Sequence, residues 1–97
     1  MKRVVITGAG TINALGADVP ATLSAMREGR CGIGELDFRD VERLSIRIGA
    51  QVKGYDPETD FNRQQLALFD RFTQFTLIAA REAIAQAGLE FRGELAA

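Results

Sequence analysis

The stretch DRFTQFTLIAAREAIAQAG, Asp70 to Gly88, constrains what this chain can fold into more than any other. Asp70 can cap the free amides of a first helical turn and Gly88 can end a last one, so the sequence predicts a long helix finishing at Ala87. Its apolar and small residues, Phe72, Phe75, Leu77, Ile78, Ala79, Ala80, Ala83, Ile84, Ala85 and Ala87, cover most of its circumference instead of one stripe. Such a helix needs cover on several sides.

The rest of the chain offers little to cover it. Arg3 to Ala9 is apolar and β-branched without alternation, which predicts a fully buried parallel strand ended by Gly8 and Gly10. Asp18 stands at an N-cap and Pro20 in a first turn, and Leu23, Ala25 and Met26 give one apolar side, so a helix is expected from about Val19 to Glu28. Arg30 to Leu44, with Asp37, Arg39, Asp40, Glu42 and Arg43, reads as a solvated surface excursion. Ile46, Ile48, Ala50 and Val52 alternate with Arg47, Gly49, Gln51 and Lys53, the pattern of a strand with the first set buried. Gly54 to Pro57 closes it as a turn, a polar segment runs from Glu58 to Gln65, and Leu66, Leu68 and Phe69 suit a short helical turn. A further strand is expected to begin in the stretch from Leu89 to Ala97. Two strands and two helices neither enclose the long helix nor pair both edges of a buried parallel strand. The sequence therefore reads as part of a larger α/β fold.

Ninety-seven residues without a repeat or an interdomain linker fit one small domain. Twelve basic against thirteen acidic residues leave a net charge of -1, so no global field draws the chain to nucleic acid or an anionic membrane. The apolar run Val4 to Ile6 is shorter than the roughly 7 to 15 residues of a signal peptide, and no run approaches the ~18 of a membrane helix. A cytoplasmic chain with neither partner is expected. The single cysteine, Cys31, cannot form an internal disulfide, and with no histidine in the chain no Cys/His metal site is expected.

Thr7-Gly8-Ala9-Gly10 after an apolar run invites comparison with a nucleotide-binding turn. The dinucleotide pattern G-x-G-x-x-G needs glycine at position 13, which is Asn13; the variant T-G-x-x-x-G-x-G needs glycines at positions 12 and 14, which are Ile12 and Ala14. Leu15 and Gly16 also delay the helix that should meet the pyrophosphate. The expected role of Gly8 and Gly10 is instead to let the chain pass close to neighbouring backbone, and no cofactor is expected.

Four stretches in order resemble the N-terminus of the β-ketoacyl-acyl carrier protein synthases of the elongating type. They are Arg3 to Gly10 with Leu15-Gly16; Gly29-Arg30-Cys31-Gly32-Ile33; Ile48 to Glu58; and Asp70 to Phe75 continuing through Ala79 to Ala83 and Gln86 to Leu89. The resemblance covers nearly the whole chain. It implies a thiolase-like fold of αβαβα layers, incomplete in these residues, in which the long helix lies between layers of a larger chain. It implies decarboxylative condensation of a cysteine-bound acyl group with malonyl carrier protein, in a cytoplasmic enzyme that is typically a homodimer. It also implies that the nucleophilic cysteine and two histidines lie later in the family's sequence, so no catalytic residue is expected here.

Cys31 follows Arg30 but has no base to activate it, and is expected to be an unreactive small residue. In the family an acidic carrier protein docks on basic residues before the long helix, which makes Arg63 and Arg71 the candidate carrier contacts. Gln64, Ala67 and Leu68 stand where relatives often carry Lys or Arg. Leu66, Leu68, Phe69 and Phe72 are expected in a core, with a subunit-contact patch as the alternative. Two other readings stay open: a non-catalytic synthase-like partner subunit, and a nucleotide-binding module, which would show stabilisation by NAD or NADP.

Overall fold

The computed structural model describes residues 2–37 and 40–89. The chain divides into two units, one holding the residues up to Thr11 and from Pro57 onward, the other Ile12 to Asp56.

The first unit is organised by three helices, α2 (Pro57–Asp60), α3 (Arg63–Leu68) and α4 (Arg71–Ala87). The four-residue α2 runs from Pro57, expected to close a turn, into the segment expected to be merely polar. Asn62 starts α3 with a reciprocal box in which its Oδ1 accepts from Gln65 N–H and Gln65 Oε1 accepts from Asn62 N–H. Asp70 starts α4, its Oδ1 accepting from Thr73 N–H at 3.1 Å, and Gly88 ends it at φ 69°, a conformation that a Cβ would strain. Both ends of the long helix thus lie where the sequence put them.

Phe61 is buried, with Phe69 edge-on to it at 6.1 Å between centroids and the Arg81 guanidinium 5.1 Å from its ring centre. Gln74 is buried too, and its Nε2 donates to the Phe69 carbonyl at 3.0 Å, fixing the corner between α3 and α4.

The strand expected at residues 3–9 is not formed. Residues 2–10 carry no regular secondary structure, and Val4, Val5 and Ile6 are 95, 73 and 91% exposed. A buried strand exists only through its neighbours, and no strand flanks this one among the described residues. Its end is nevertheless fastened to α4. Ala9 N–H donates to Gln86 Oε1 at 2.7 Å and Thr11 N–H to Glu82 Oε1 at 2.9 Å, while Gly8 and Gly10 face the helix backbone at Ala83 and Ala79.

The second unit contains α1 (Val19–Arg27) and an antiparallel pair, β1 (Ile33–Glu35) with β2 (Ile48–Ala50), in which Ile33, Gly34 and Glu35 oppose Ala50, Gly49 and Ile48. Asp18 caps α1, its Oδ1 accepting from Ala21 N–H at 2.8 Å, and Ala25 is the buried residue of the helix. Leu23 and Met26, expected beside it on one packed side, are exposed. Asn13 builds the turn before α1: its Oδ1 accepts from Leu15 and Gly16 N–H, and its Nδ2 donates to Thr22 Oγ1 at 3.0 Å.

β1 lies within the segment expected to be a surface excursion. β2 has the expected place but the opposite facing, since Ile46 and Ile48 are exposed and the half-buried residue between them and Ala50 is Gly49, against Leu36. Alternation marks a strand's two sides; which side is covered depends on what packs there, and a two-stranded ribbon covers little. Of the surface charges expected between Arg30 and Leu44, Arg39 lies outside the described residues, as does the strand expected to begin after Leu89 from residue 90 on.

Candidate functional site

Arg63 and Arg71 occupy equivalent places, the first residues of α3 and α4. A helix N-terminus carries partial positive charge, so a cation there gains nothing from the helix it begins. Both side chains are exposed. The Arg71 guanidinium lies 5.6 Å from the ring centre of Phe75, one turn on, which holds its stem along α4. Glu58, Asp60 and Asp70 belong to the same three-helix segment, so the two arginines do not make a basic field there.

Leu66 and Phe69 are half-buried, Phe69 against Phe61, but Leu68 and Phe72 are 80 and 72% exposed, contrary to the expectation of core packing for all four. The cause is the turn at Phe69, where extended backbone breaks the helical path between α3 and α4. Gln64 and Ala67 are exposed as well, so the surface beside the arginines is neutral and apolar.

Cys31 belongs to the other unit, in a shallow cleft of about 300 Å³ bordered by Asn13, Leu15, Arg30 and Lys53. Its thiol is free and exposed, with the Ile33 carbonyl at 4.0 Å. Arg30 does not serve it: the guanidinium grips Glu28, Nη2 and Nε lying 2.8 and 2.9 Å from the same carboxylate oxygen. The chain has no histidine, and among the described residues none stands hydrogen-bonded to this thiol as a base. Among the described residues no group of His, Cys, Asp and Glu is arranged to hold a metal ion, and no helix is long and apolar enough to cross a membrane.

Gly8 and Gly10 do what the failed fingerprint suggested. A Cβ on either would run into a carbonyl oxygen of α4, and the backbone amides of Ala9 and Thr11 are taken by Gln86 and Glu82. A phosphate would find this turn occupied by protein. The roles of Glu82 and Gln86 were not read from sequence, although their spacing of four beside the alanines at 79, 83 and 87 was the available signal.

The family model described as the β-ketoacyl synthase N-terminal domain matches residues 1–94. Among curated proteins, the chain is 47% identical over 88 residues to Nodulation protein E of Rhizobium sp. (strain N33), covering 91% of this chain and 22% of that protein. It is 35% identical over 95 residues to 3-oxoacyl-[acyl-carrier-protein] synthase 2 of Staphylococcus aureus (strain N315), covering 98% of this chain and 23% of that protein. Nodulation protein E of Rhizobium meliloti (strain 1021) is 43% identical over 88 residues, 91% of this chain and 22% of its own length. The chain thus spans less than a quarter of the curated relatives it matches.

Proposed function

Because the chain belongs to the β-ketoacyl synthase family and matches its N-terminal domain, we propose that it serves a complete synthase of the αβαβα thiolase-like architecture, acting in the cytoplasm as a homodimer. The observation that carries this reading is the match over residues 1–94, which takes in the helical corner, the laced turn and the cysteine cleft alike. The reaction is decarboxylative condensation. A cysteine thiolate displaces a carrier thiol from an acyl thioester; malonyl carrier protein loses carbon dioxide to leave an enolate; the enolate attacks the enzyme-bound acyl carbon, releasing β-ketoacyl carrier protein and regenerating the thiolate.

The 97 residues supply none of the reacting groups in this account. They contain no histidine, and Cys31 lacks a base. Their part is structural and recognitional, with Arg63 and Arg71 pairing with carboxylates of an acidic carrier protein. The acidic neighbours Glu58, Asp60 and Asp70 make this a matter of individual contacts and not of long-range steering. The test is condensation by the complete synthase carrying these residues, supplied with acyl and malonyl carrier proteins. Formation of a product two carbons longer with release of one carbon dioxide supports the reading; a complete protein that takes up no acyl group overturns it.

A second reading has its own support, the neutral and apolar surface made by Gln64, Ala67 and Leu68 where the family often carries cations. On that reading the complete protein is a silent partner that pairs with an active synthase and sets chain length. The residue at the family's nucleophile turn separates the two: cysteine for the enzyme, another residue for the silent partner.

A further inference from the structure

Arg63 and Ala67, and likewise Gln64 and Leu68, stand four positions apart and so share one side of α3; all four are exposed, while Gln65, Leu66 and Phe69 are half-buried. Just past the corner Phe72, the second residue of α4, is exposed as well. One apolar side chain on a surface is unremarkable. Leu68 and Phe72, however, flank a corner that is held: buried Gln74 donates from Nε2 to the Phe69 carbonyl at 3.0 Å, and the Phe69 ring meets buried Phe61 edge-on. They are offered by fixed backbone, so a partner that covers them has little ordering cost to meet. The charges around them nearly cancel. Residues 57–72 hold Glu58, Asp60 and Asp70 against Arg63 and Arg71, three acidic against two basic.

We infer that Leu68 and Phe72 are the main docking contacts for the carrier protein, and that the carrier helix seated on them presents an apolar ridge with no more than one carboxylate for each arginine. The inference rests on the proposed function and names the chemistry of its partner. Charge decides the kind of helix. One covered in carboxylates would meet three acidic groups here along with two arginines and gain no net attraction. Apolar side chains would instead cover Leu68, Phe72 and Ala67 and leave Arg63 and Arg71 at a polar rim, the arrangement of a protein interface with a dry centre. Affinity then comes from apolar surface removed from water, which salt does not screen.

The experiment titrates the complete synthase carrying these residues with acyl carrier protein from its own source and reads Kd by calorimetry. Kd is expected to change less than about threefold between about 50 and about 500 mM sodium chloride, a range over which docking by an ion-pair network weakens steeply. Leu68→Asp and Phe72→Ala are each expected to weaken binding at least about tenfold, with the cooperative melt of the protein retained. Leu68→Lys supplies a sign: it weakens binding where an apolar ridge sits on residue 68 and tightens it where the carrier presents carboxylates. Steep salt dependence, tighter binding by Leu68→Lys, or absence of binding overturns the inference. So does a Leu68→Asp protein that loses its cooperative melt or changes its oligomeric state, which makes the rest of the synthase or a second copy the cover of this residue. A complete protein that binds the carrier with the expected pattern yet forms no condensation product would sink the functional reading and leave the docking inference standing.

Discussion

The amide of Ala9 donates to the side chain of Gln86 at 2.7 Å, across seventy-seven positions of sequence. With the matching bond from Thr11 to Glu82, it fixes residues 9–11 to the C-terminal half of α4 through side-chain acceptors where a sheet would use carbonyls. The glycines between and beside these amides make the approach sterically possible.

Gly10→Ala in the complete synthase is accordingly expected to destabilise it by about 1–3 kcal/mol, the range for overpacking a fitted contact. The added Cβ meets the Ala79 carbonyl oxygen, a backbone atom that cannot swing aside. Denaturant unfolding reads the change, and an unaltered midpoint would show that the contact is loose.

Asp70→Ala should cost about 1 kcal/mol, because Thr73 N–H loses its acceptor, while Asp70→Asn keeps most of that stability. Circular dichroism melts of the complete synthase compare the two substitutions. Equal losses would mean that charge, and not the cap, is what matters at this position.

The 97-residue chain alone is expected to melt broadly, without a cooperative transition. Ala25, Phe61 and Gln74 are the residues buried among those described, and α4 leaves Phe72 in water. Calorimetry on the monomer tests this: a sharp transition whose calorimetric and van't Hoff enthalpies agree would refute it.

Arg63→Glu in the complete synthase should raise KM for malonyl carrier protein about threefold, the scale of one exposed ion pair, and leave turnover of a small thioester substrate unchanged. A KM for the carrier substrate equal to wild type would remove Arg63 from the docking surface.

Cys31→Ser is expected to leave acyl-enzyme formation intact, since its thiol has no base and Arg30 is engaged by Glu28. Intact mass after incubation with acyl carrier protein gives the stoichiometry directly. Loss of the acyl adduct would place the nucleophile at residue 31.

What could be read in the sequence was what is decided locally. The ends of α4 were legible because Asp70 and Gly88 act within a turn of themselves, and the same holds for Asp18 at α1. The strand at residues 3–9 was not, because pairing is a property of neighbours that the described residues do not contain. β1 escaped notice because Gly34 and Glu35 break any apolar run, and β2 was placed correctly but turned the wrong way, since period two gives sides and not their covering. At the candidate site, the position of Arg71 at a helix start followed from Asp70 before it, whereas the cap at Asn62, which puts Arg63 at the start of α3, lay in a stretch read only as polar. The exposure of Leu68 and Phe72 did not follow, for it depends on the backbone turn at Phe69.

The lacing of Ala9 and Thr11 onto α4 also bears on what changes of length this region can accept. Two residues of extended chain advance about 6.4–6.8 Å, and four residues of α-helix about 6.0 Å, so amides two apart meet acceptors four apart with little mismatch. The match is a vernier between two unlike scales. Deleting one residue among positions 8–11 would turn amides away and drive a side chain into the helix, and deleting one between Glu82 and Gln86 would swing an acceptor about 100° around the axis. Substitutions can be absorbed here one at a time, but an insertion or deletion in either partner puts every later contact out of step.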